Sequence, residues 1–509
     1  MPIIRYIPAL VFACFSGQLW AEEPLSAIDW LSESIDVPPE YSLTESPVSN
    51  AILVEPITVL PLDAPSPDAV GLFSPSVAGL PRDLWGPSDS LQIASAIREM
   101  EVNHLPALMQ LLKIILLAEA DAPDDSDGSV LLARIDALLE IGALDEARAL
   151  MELTEVYTPE LFRRWFDVAL LTGNETEACN ALRERGDIAP SYQARIFCLA
   201  RNGDWDAAVL TLNSAALLGQ VSDDDYYLMA RFLDPDIFDG EEVDPAPDTP
   251  SPLEFRMYEA IGEPIPTRHL PRAFAHADLR NVTGWKLRVE AAERLARVSV
   301  ISDNQLLGIY TEREPAASGG VWERVDAVQR FDAALLSGDT DAINDTLPRV
   351  WLEMQHAGLE RPFANIYSLA LIDYSLSTGA SSIVQRVLLL SDDYEQLAQH
   401  ATGVQTAELR FLRALATGQM HAAPSIDDSP FHAVRTGFDP VPPHSEDKHL
   451  LDQRRLGEAV LQAIRLFSLG VEGDHEQITR ALRLLRSVGL EDTARQAALQ
   501  FLIMQRRGA

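Results

Sequence analysis

The middle of this 509-residue chain repeats one local pattern three times, and that repetition limits the folds open to the chain. Each copy consists of an amphipathic helix, a glycine, a short polar turn and a second helix that contains alanine. The glycines, which are 31 and 30 residues apart, are Gly142, Gly173 and Gly203. An alanine follows each of them by five residues, at Ala147, Ala178 and Ala208. The pattern predicts three consecutive helical hairpins.

The glycine and the alanine have separate roles in such a hairpin. Glycine adopts the left-handed conformation that ends the first helix, and the small alanine lets the second helix pack closely against it. Over residues 130–219 the arrangement resembles the tetratricopeptide-repeat superfamily, with a spacing shorter than that family's usual period of about 34 residues. The resemblance implies a stacked array of hairpins whose extended surface binds peptides or protein segments.

Changes in composition divide the chain into five segments. Residues 1–21 are predicted to be a signal peptide. Residues 22–88 are acidic and rich in proline, which predicts a disordered linker because no helical or strand period survives there. A repeat domain follows at 89–233, and an acidic, proline-rich linker at 234–252 separates it from a second helical domain at 253–509. The predicted fold class is all-α: a solenoid-like array of α-hairpin repeats, then a second helical region.

The N-terminus has the three parts of a secretory signal peptide. Arg5 precedes a short apolar run from Ile7 to Phe15, and Ala21 is the small residue before the expected cleavage site. We therefore expect export to the periplasm. One alternative is cleavage at a lipoprotein box and lipid attachment at Cys14. Another is an ordinary buried N-terminal helix.

The formal net charge of −37 argues against two classes of partner. Nucleic acids and anionic lipids are bound through basic surfaces that neutralise phosphate groups. A membrane-spanning helix takes about 20 apolar residues, and no segment after the signal peptide is that long. The best candidate, Leu105–Ala118, contains Pro106 and Lys113 and is predicted to be a core helix.

Cys179 and Cys198 are the only cysteines outside the signal peptide, and export places them in an oxidising compartment. The helices predicted around them, at about 175–185 and 191–202, are joined by a turn centred at residue 188. The midpoint of the two cysteines is 188.5, so they lie at equal heights on antiparallel helices. Axes about 8–10 Å apart leave roughly 4–5 Å between facing Cα atoms, which suits a disulfide. The alternative is two buried free thiols.

The motifs of common catalytic and metal sites are missing from the sequence. It contains no His-Glu-x-x-His and no Cys-x-x-Cys, and His269 and His276 are seven residues apart. The acidic run from Asp234 to Gly240 lacks the ligand spacing of a calcium loop. Gly319 and Gly320 lack the lysine and hydroxyl residue of a phosphate-binding loop. We therefore expect no catalytic residue, no cofactor and no metal.

These observations favour a non-catalytic periplasmic scaffold or adaptor that binds an envelope protein through its helical repeats. Arg480, Arg483 and Arg486, near the C-terminus, are a candidate contact for an acidic partner, and the alternative is a solvated helix face. A second hypothesis is a peptidoglycan- or carbohydrate-active envelope enzyme without a recognisable motif, because helical superhelices also occur in periplasmic lytic transglycosylases. An accessory subunit with only a structural role is a third.

Export predicts the sequence of the mature N-terminus. Because the signal peptide is expected to end at Ala21, N-terminal sequencing of protein from the cell envelope should begin at Glu22. A chain that begins with a lipid-modified Cys14 would support the anchored alternative instead. Recovery of the intact chain from the cytosol, still beginning at Met1, would contradict both.

Overall fold

The computed structural model describes residues 66–101, 105–154, 158–238, 245–400 and 406–504. The predicted signal peptide and residues 22–65 of the predicted linker lie outside the described residues. Those ranges contain no β-strand, only one isolated bridge between Phe73 and Ala118. They hold 25 helices: α1 (Pro75–Ala78), α2 (Ser90–Arg98), α3 (Pro106–Leu117), α4 (Ser129–Ile141), α5 (Leu144–Glu152), α6 (Pro159–Thr172), α7 (Glu175–Glu184), α8 (Tyr192–Arg201), α9 (Trp205–Leu217), α10 (Asp223–Leu233), α11 (Pro252–Ala260), α12 (Ala275–Asp278), α13 (Trp285–Ala296), α14 (Asp303–Tyr310), α15 (Val321–Ser337), α16 (Thr340–Ala357), α17 (Glu360–Leu371), α18 (Thr378–Leu390), α19 (Tyr394–Leu397), α20 (Ala407–Ala416), α21 (Ser429–Gly437), α22 (Ser445–Asp452), α23 (Leu456–Val471), α24 (His475–Ser487) and α25 (Glu491–Met504). The predicted all-α fold is confirmed.

The three predicted hairpins are the pairs α4/α5, α6/α7 and α8/α9, and each pair packs together. The first helices of the second and third hairpins, α6 and α8, each begin at a residue whose side chain caps the helix. The Thr158 hydroxyl accepts a hydrogen bond from the Leu161 N–H, and the Ser191 hydroxyl accepts one from the Ala194 N–H. These bonds satisfy donors that the first turn of a helix leaves open. The three alanines of the repeat pattern are fully buried, which fits close packing of the two helices of each hairpin.

The prediction of a disordered linker is wrong for its last part. Residues 66–88 pack against the helices that follow them, and Leu84 and Trp85 are buried. Two prolines of this segment, Pro67 and Pro75, stand at the first position of short helices. Proline is favoured there because that N–H has no partner within the helix. The prolines therefore start ordered turns, and Ser66 already belongs to the folded body.

A buried arginine fastens this segment to the first hairpin. The Arg134 guanidinium of α4 donates hydrogen bonds to the carbonyl oxygens of Leu116 and Val70, at 2.6 and 2.7 Å. Asp68, also buried, accepts a hydrogen bond of 2.8 Å from the Leu131 N–H in the first turn of α4. Burial lowers the pKa of Arg134 to about 10, and the charge of Asp68 opposes this shift. The segment thus supplies polar partners to the first turn of α4 and to the buried arginine in the middle of that helix.

Buried apolar side chains form two clusters. The smaller one lies between residues 162 and 257 and contains both cysteines. The larger one joins side chains from residues 80–171 to others from residues 255–503. Helix α6 belongs to both clusters, since Phe166 faces the small one and Val168 the large one. The two apolar clusters therefore do not coincide with the two domains predicted from the sequence. Part of residues 89–233 packs with the second helical region.

The C-terminal helices return to the N-terminal ones and close the larger core. The Ala107 N–H at the start of α3 donates to Gln500 Oε1 of α25, at 2.8 Å. The Gly457 N–H of α23 donates to the Leu84 carbonyl, also at 2.8 Å. The Trp85 ring lies directly on this turn of α23. A Cβ atom at position 457 would come within 2.4 Å of the ring, which is far closer than non-bonded carbon atoms approach.

This contact makes opposite predictions for two glycine-to-alanine substitutions. We expect Gly457→Ala to lower the free energy of unfolding by about 1–3 kcal/mol, because the new methyl group overpacks against Trp85. Gly308→Ala, at an exposed helical position of α14 with open space around it, should raise that free energy by about 0.5–1 kcal/mol. Urea denaturation measures both. Stabilisation by both substitutions would show that Trp85 does not pack on α23.

Candidate functional site

A disulfide joins Cys179 of α7 to Cys198 of α8, as the sequence predicted. The two Cα atoms are 4.9 Å apart, inside the range expected for facing helices. Both side chains are buried in the smaller core. The bond links the second hairpin of the array to the third. It therefore fixes the position of α8 relative to α7.

The three turn glycines all have positive φ angles, of 89°, 82° and 89° for Gly142, Gly173 and Gly203. A residue with a Cβ atom rarely adopts this conformation, which explains why glycine recurs at each hairpin turn. Gly142 also faces the second helical region, because its carbonyl oxygen lies 2.7 Å from His276 Nε2. The first turn is therefore held against α12.

A cavity of about 280 Å³ lies within the disulfide-linked part of the chain, between α6, the start of α8, α10 and α11. Its charged lining residues are Arg163, Asp167, Asp225 and Glu254. Apolar walls complete it, formed by Phe166, Leu253 and Met257. The cavity thus combines three carboxyl groups and one guanidinium with an apolar surface.

One carboxylate oxygen of Asp167 has no hydrogen-bond partner. The residue is only 6% exposed, and its Oδ2 atom accepts no hydrogen bond within the protein. The Arg163 Nε atom lies 3.9 Å from that oxygen, which is beyond hydrogen-bond distance. Burial raises the pKa of Asp167 to about 7, although the charges of Arg163 and Arg164 oppose the shift. Asp136 on α4 adds to it.

The other two carboxyl groups of the cavity have partners. Glu254 accepts a 2.7 Å hydrogen bond from the Ser251 N–H and closes a capping box at the start of α11. Asp225 accepts hydrogen bonds from Gln193 and from the hydroxyl of Ser222. Burial raises the pKa of Glu254, and the nearby charge of Asp225 contributes. These two groups therefore shape the cavity and add negative charge to it.

A second cleft, of about 520 Å³, lies between α3, α5, α14 and α17. Lys113 and Arg361 line it, and both cations are paired within the protein. Lys113 Nζ lies 2.6 Å from a Glu146 carboxylate oxygen, and the Arg361 guanidinium lies 2.6 Å from Asp392. Because each cation already has a carboxylate partner, these groups connect helices of the larger core.

Helix α9 presents apolar side chains to solvent as well as to its neighbours. Ala208, Leu212 and Ala215 are buried. On other faces of the helix, Leu210 is 68% exposed and Leu217 is 90% exposed. Trp205, Val209 and Leu218 on or next to this helix, and Tyr227 on the adjoining helix α10, are also exposed. Single exposed apolar residues are ordinary, but a group of them on adjoining turns is typical of an interaction surface. We call these six residues the α9 surface.

The three C-terminal arginines form hydrogen bonds and ion pairs with other residues of the chain. All three lie on α24 and bond to α21 and α22 or to the turn between them. The contacts are Arg480 with the Asp447 carboxylate at 2.6 Å, Arg483 with the Thr436 carbonyl at 3.1 Å, and Arg486 with the Gly437 carbonyl at 3.1 Å. These bonds give the arginines partners within the chain, and the contact with an acidic partner stays a prediction.

The histidines singled out from the sequence have no common ligand site in the structure. His276 is buried against the first hairpin turn, and burial lowers its pKa. Across the described ranges, no three His, Cys, Asp or Glu side chains are grouped closely enough to hold a metal ion. The calcium-loop candidate ends at residues 239–240, which lie outside those ranges. In the same ranges, no helix is both long and apolar enough to cross a membrane.

Comparison of the chain with protein-family models, with curated proteins and with solved structures gave no match. The helical-repeat character rests on helices that pack in neighbouring pairs. The finer resemblance to tetratricopeptide repeats rests on the sequence pattern alone.

The cavity was not predicted from the sequence, although one signal pointed to it. Arg163 and Asp167 are four residues apart within the apolar pattern of α6, so they share a face of that helix. Charged residues are rarely buried unless they serve a specific interaction. Two charges on the packed face of a predicted helix are therefore a reason to look for a polar cavity.

Removing the disulfide should destabilise the protein. For a sequence separation of 19 residues, the chain-entropy estimate is a loss of about 3 kcal/mol in the free energy of unfolding. We expect this loss for a Cys179→Ala/Cys198→Ala variant in urea denaturation. Dithiothreitol should lower the stability of the wild type and leave the double variant unchanged, which provides the control. A double variant as stable as the oxidised wild type would contradict the prediction.

Proposed function

We propose that this protein is a non-catalytic adaptor of the cell envelope that binds a partner protein through the α9 surface. The observation that carries the proposal is that α9 is apolar on both its packed and its solvent-facing sides. Helical hairpins of repeat arrays bury their apolar faces against neighbours. In the described part of the chain, α9 packs against α8 and α10, and the residues it buries there are Ala208, Leu212 and Ala215. A partner segment would complete the packing on the other side.

The composition of the α9 surface supports a protein as the partner. Trp205 and Tyr227 belong to the residue types that most often dominate the binding energy of protein interfaces. Trp205 and Val209 are four residues apart, and Leu210 and Leu217 are seven apart, so each pair shares a face of α9. Such pairs suit an amphipathic helix laid along α9. Export to the periplasm is part of the same proposal. It is supported by the disulfide, because disulfides persist in oxidising compartments.

The second candidate is an envelope enzyme acting on peptidoglycan or another carbohydrate. The observation in its favour is that Asp167 and Glu254, both with raised pKa values, line one cavity, and perturbed carboxyl groups often mark active sites. Two observations weigh against it. The Glu254 carboxylate is engaged in a capping box. The cavity of about 280 Å³ is also small for a glycan chain.

Substitution of the α9 surface should abolish partner binding without unfolding the protein. A photo-crosslinking residue at position 210 should capture an envelope protein in intact cells, which is then purified for a direct binding measurement. We expect Leu217→Asp to weaken that binding at least about tenfold, because a charge would have to be buried in the interface.

Leu336→Asp on α15 is the matched control, since Leu336 is 83% exposed and Leu217 is 90% exposed. The control variant should bind the partner like the wild type. Unchanged affinity of Leu217→Asp for the purified partner would refute the α9 surface as the binding site. Capture of the same protein from position 336 would refute it as well.

A further inference from the structure

The cavity beside Asp167 points to a second binding site, separate from the α9 surface. We propose that it binds an aliphatic chain that ends in a cation, of the size of a lysine or arginine side chain. The proposal does not depend on the adaptor function, because it concerns a different part of the molecule and a different kind of ligand.

The first argument is the unsatisfied carboxylate. A buried polar atom without a hydrogen-bond partner destabilises a folded protein, and nearly all such atoms in proteins have a partner or a bound group. Asp167 Oδ2 has none within the protein, and the residue lines an open cavity rather than a packed core. A ligand that donates a hydrogen bond at this position would supply the missing partner.

The second argument is the charge of the cavity. Three carboxyl groups line it, at Asp167, Asp225 and Glu254, against the single guanidinium of Arg163. An anionic ligand would add to this excess of negative charge, whereas a cation would reduce it. The net charge of −37 for the whole chain also favours the approach of a cation.

The third argument is the shape and polarity of the walls. Phe166, Leu253 and Met257 form the apolar part of the lining, which suits the methylene groups of a long side chain. A volume of about 280 Å³ is at or below the lower end for small-molecule sites. It accommodates one extended aliphatic group with its charged end, and not a folded peptide or an oligosaccharide.

Protonation of Asp167 should control this binding. The groups that face its carboxyl are Arg163 and Arg164 on α6, Asp136 on α4, and Asp225 and Glu254 across the cavity. With a pKa of about 7, Asp167 is neutral in acid and ionised in base. Only the ionised form attracts the cation, so affinity should rise with pH through 7 and fall about tenfold per unit well below it.

The experiment uses the purified full-length protein and small probes in calorimetric titrations at pH 8. N-acetyl-lysine amide is compared with N-acetyl-norleucine amide, which has a similar chain without the charge. We expect saturable binding of the lysine compound and affinity at least about tenfold lower for norleucine, because a desolvated ion pair is lost. Two further probes, 1,5-diaminopentane and the acetylated, amidated tripeptide Ala-Lys-Ala, distinguish a free diamine from a side chain of a partner protein.

Asp167→Asn tests the residue, because it removes the charge and keeps the shape of the side chain. It should weaken binding of the lysine probe at least about tenfold and abolish the pH dependence around 7. Asp224→Asn is the matched control, since Asp224 is exposed on α10 next to Asp225 and does not line the cavity. This variant should bind like the wild type. Thermal melts establish that both variants fold.

Three results would overturn the proposal. These are equal affinity of the wild type for the lysine and norleucine probes, no saturable binding of any cationic probe up to about 10 mM, and unchanged affinity in Asp167→Asn. The first two need no variant, so they decide the matter even if Asp167→Asn fails to fold. None of them bears on the α9 surface, whose test uses a different partner and different substitutions.

Discussion

A helical hairpin has an apolar face that its own two helices cannot bury, and this constraint accounts for much of the structure. The first hairpin, α4/α5, buries that face in the larger core, together with the second helical region. The C-terminal helices solve the same problem by packing on α2 and α3, where Gln500 bonds to the first turn of α3. The third hairpin is the exception, because α9 buries Ala208, Leu212 and Ala215 but leaves other large apolar side chains, such as Leu210 and Leu217, exposed. A partner surface is therefore expected there.

Features that depend on residues close together along the chain were predictable from the sequence. The hairpin turns were predictable because glycine readily adopts the left-handed conformation that ends a helix. The disulfide was predictable because Cys179 and Cys198 lie at equal heights on adjoining helices. The proline-rich segment was misread for a physical reason. Proline ends helices, but it also starts them, and Pro67 and Pro75 do the latter. The Val70 carbonyl of this segment bonds to Arg134, 64 residues away in the chain, and no local pattern reveals that contact.

The candidate sites were harder to predict because they depend on contacts between distant residues. The cavity joins Asp167 on α6 to Glu254 on α11, and nothing in the sequence sets that distance. The C-terminal arginines depend on distant residues in the same way. Their local excess of positive charge suggested a free surface, but the carbonyl and carboxylate partners lie more than 30 residues earlier, on α21, α22 and the turn between them. Charge counted along a segment does not show whether the charges are already paired in the fold.

Helix α8 connects the two candidate sites. Gln193 and Ala194 at its start line the cavity, and its later turns pack against α9. A chain of aromatic contacts runs the same way: Phe166 of the cavity wall meets Phe197 on α8, Phe197 stacks on Phe232, and Phe232 meets Trp205 of the α9 surface. The disulfide at Cys198 holds α8 to α7. The cavity and the α9 surface are therefore joined by side chains of one core, which the disulfide holds together.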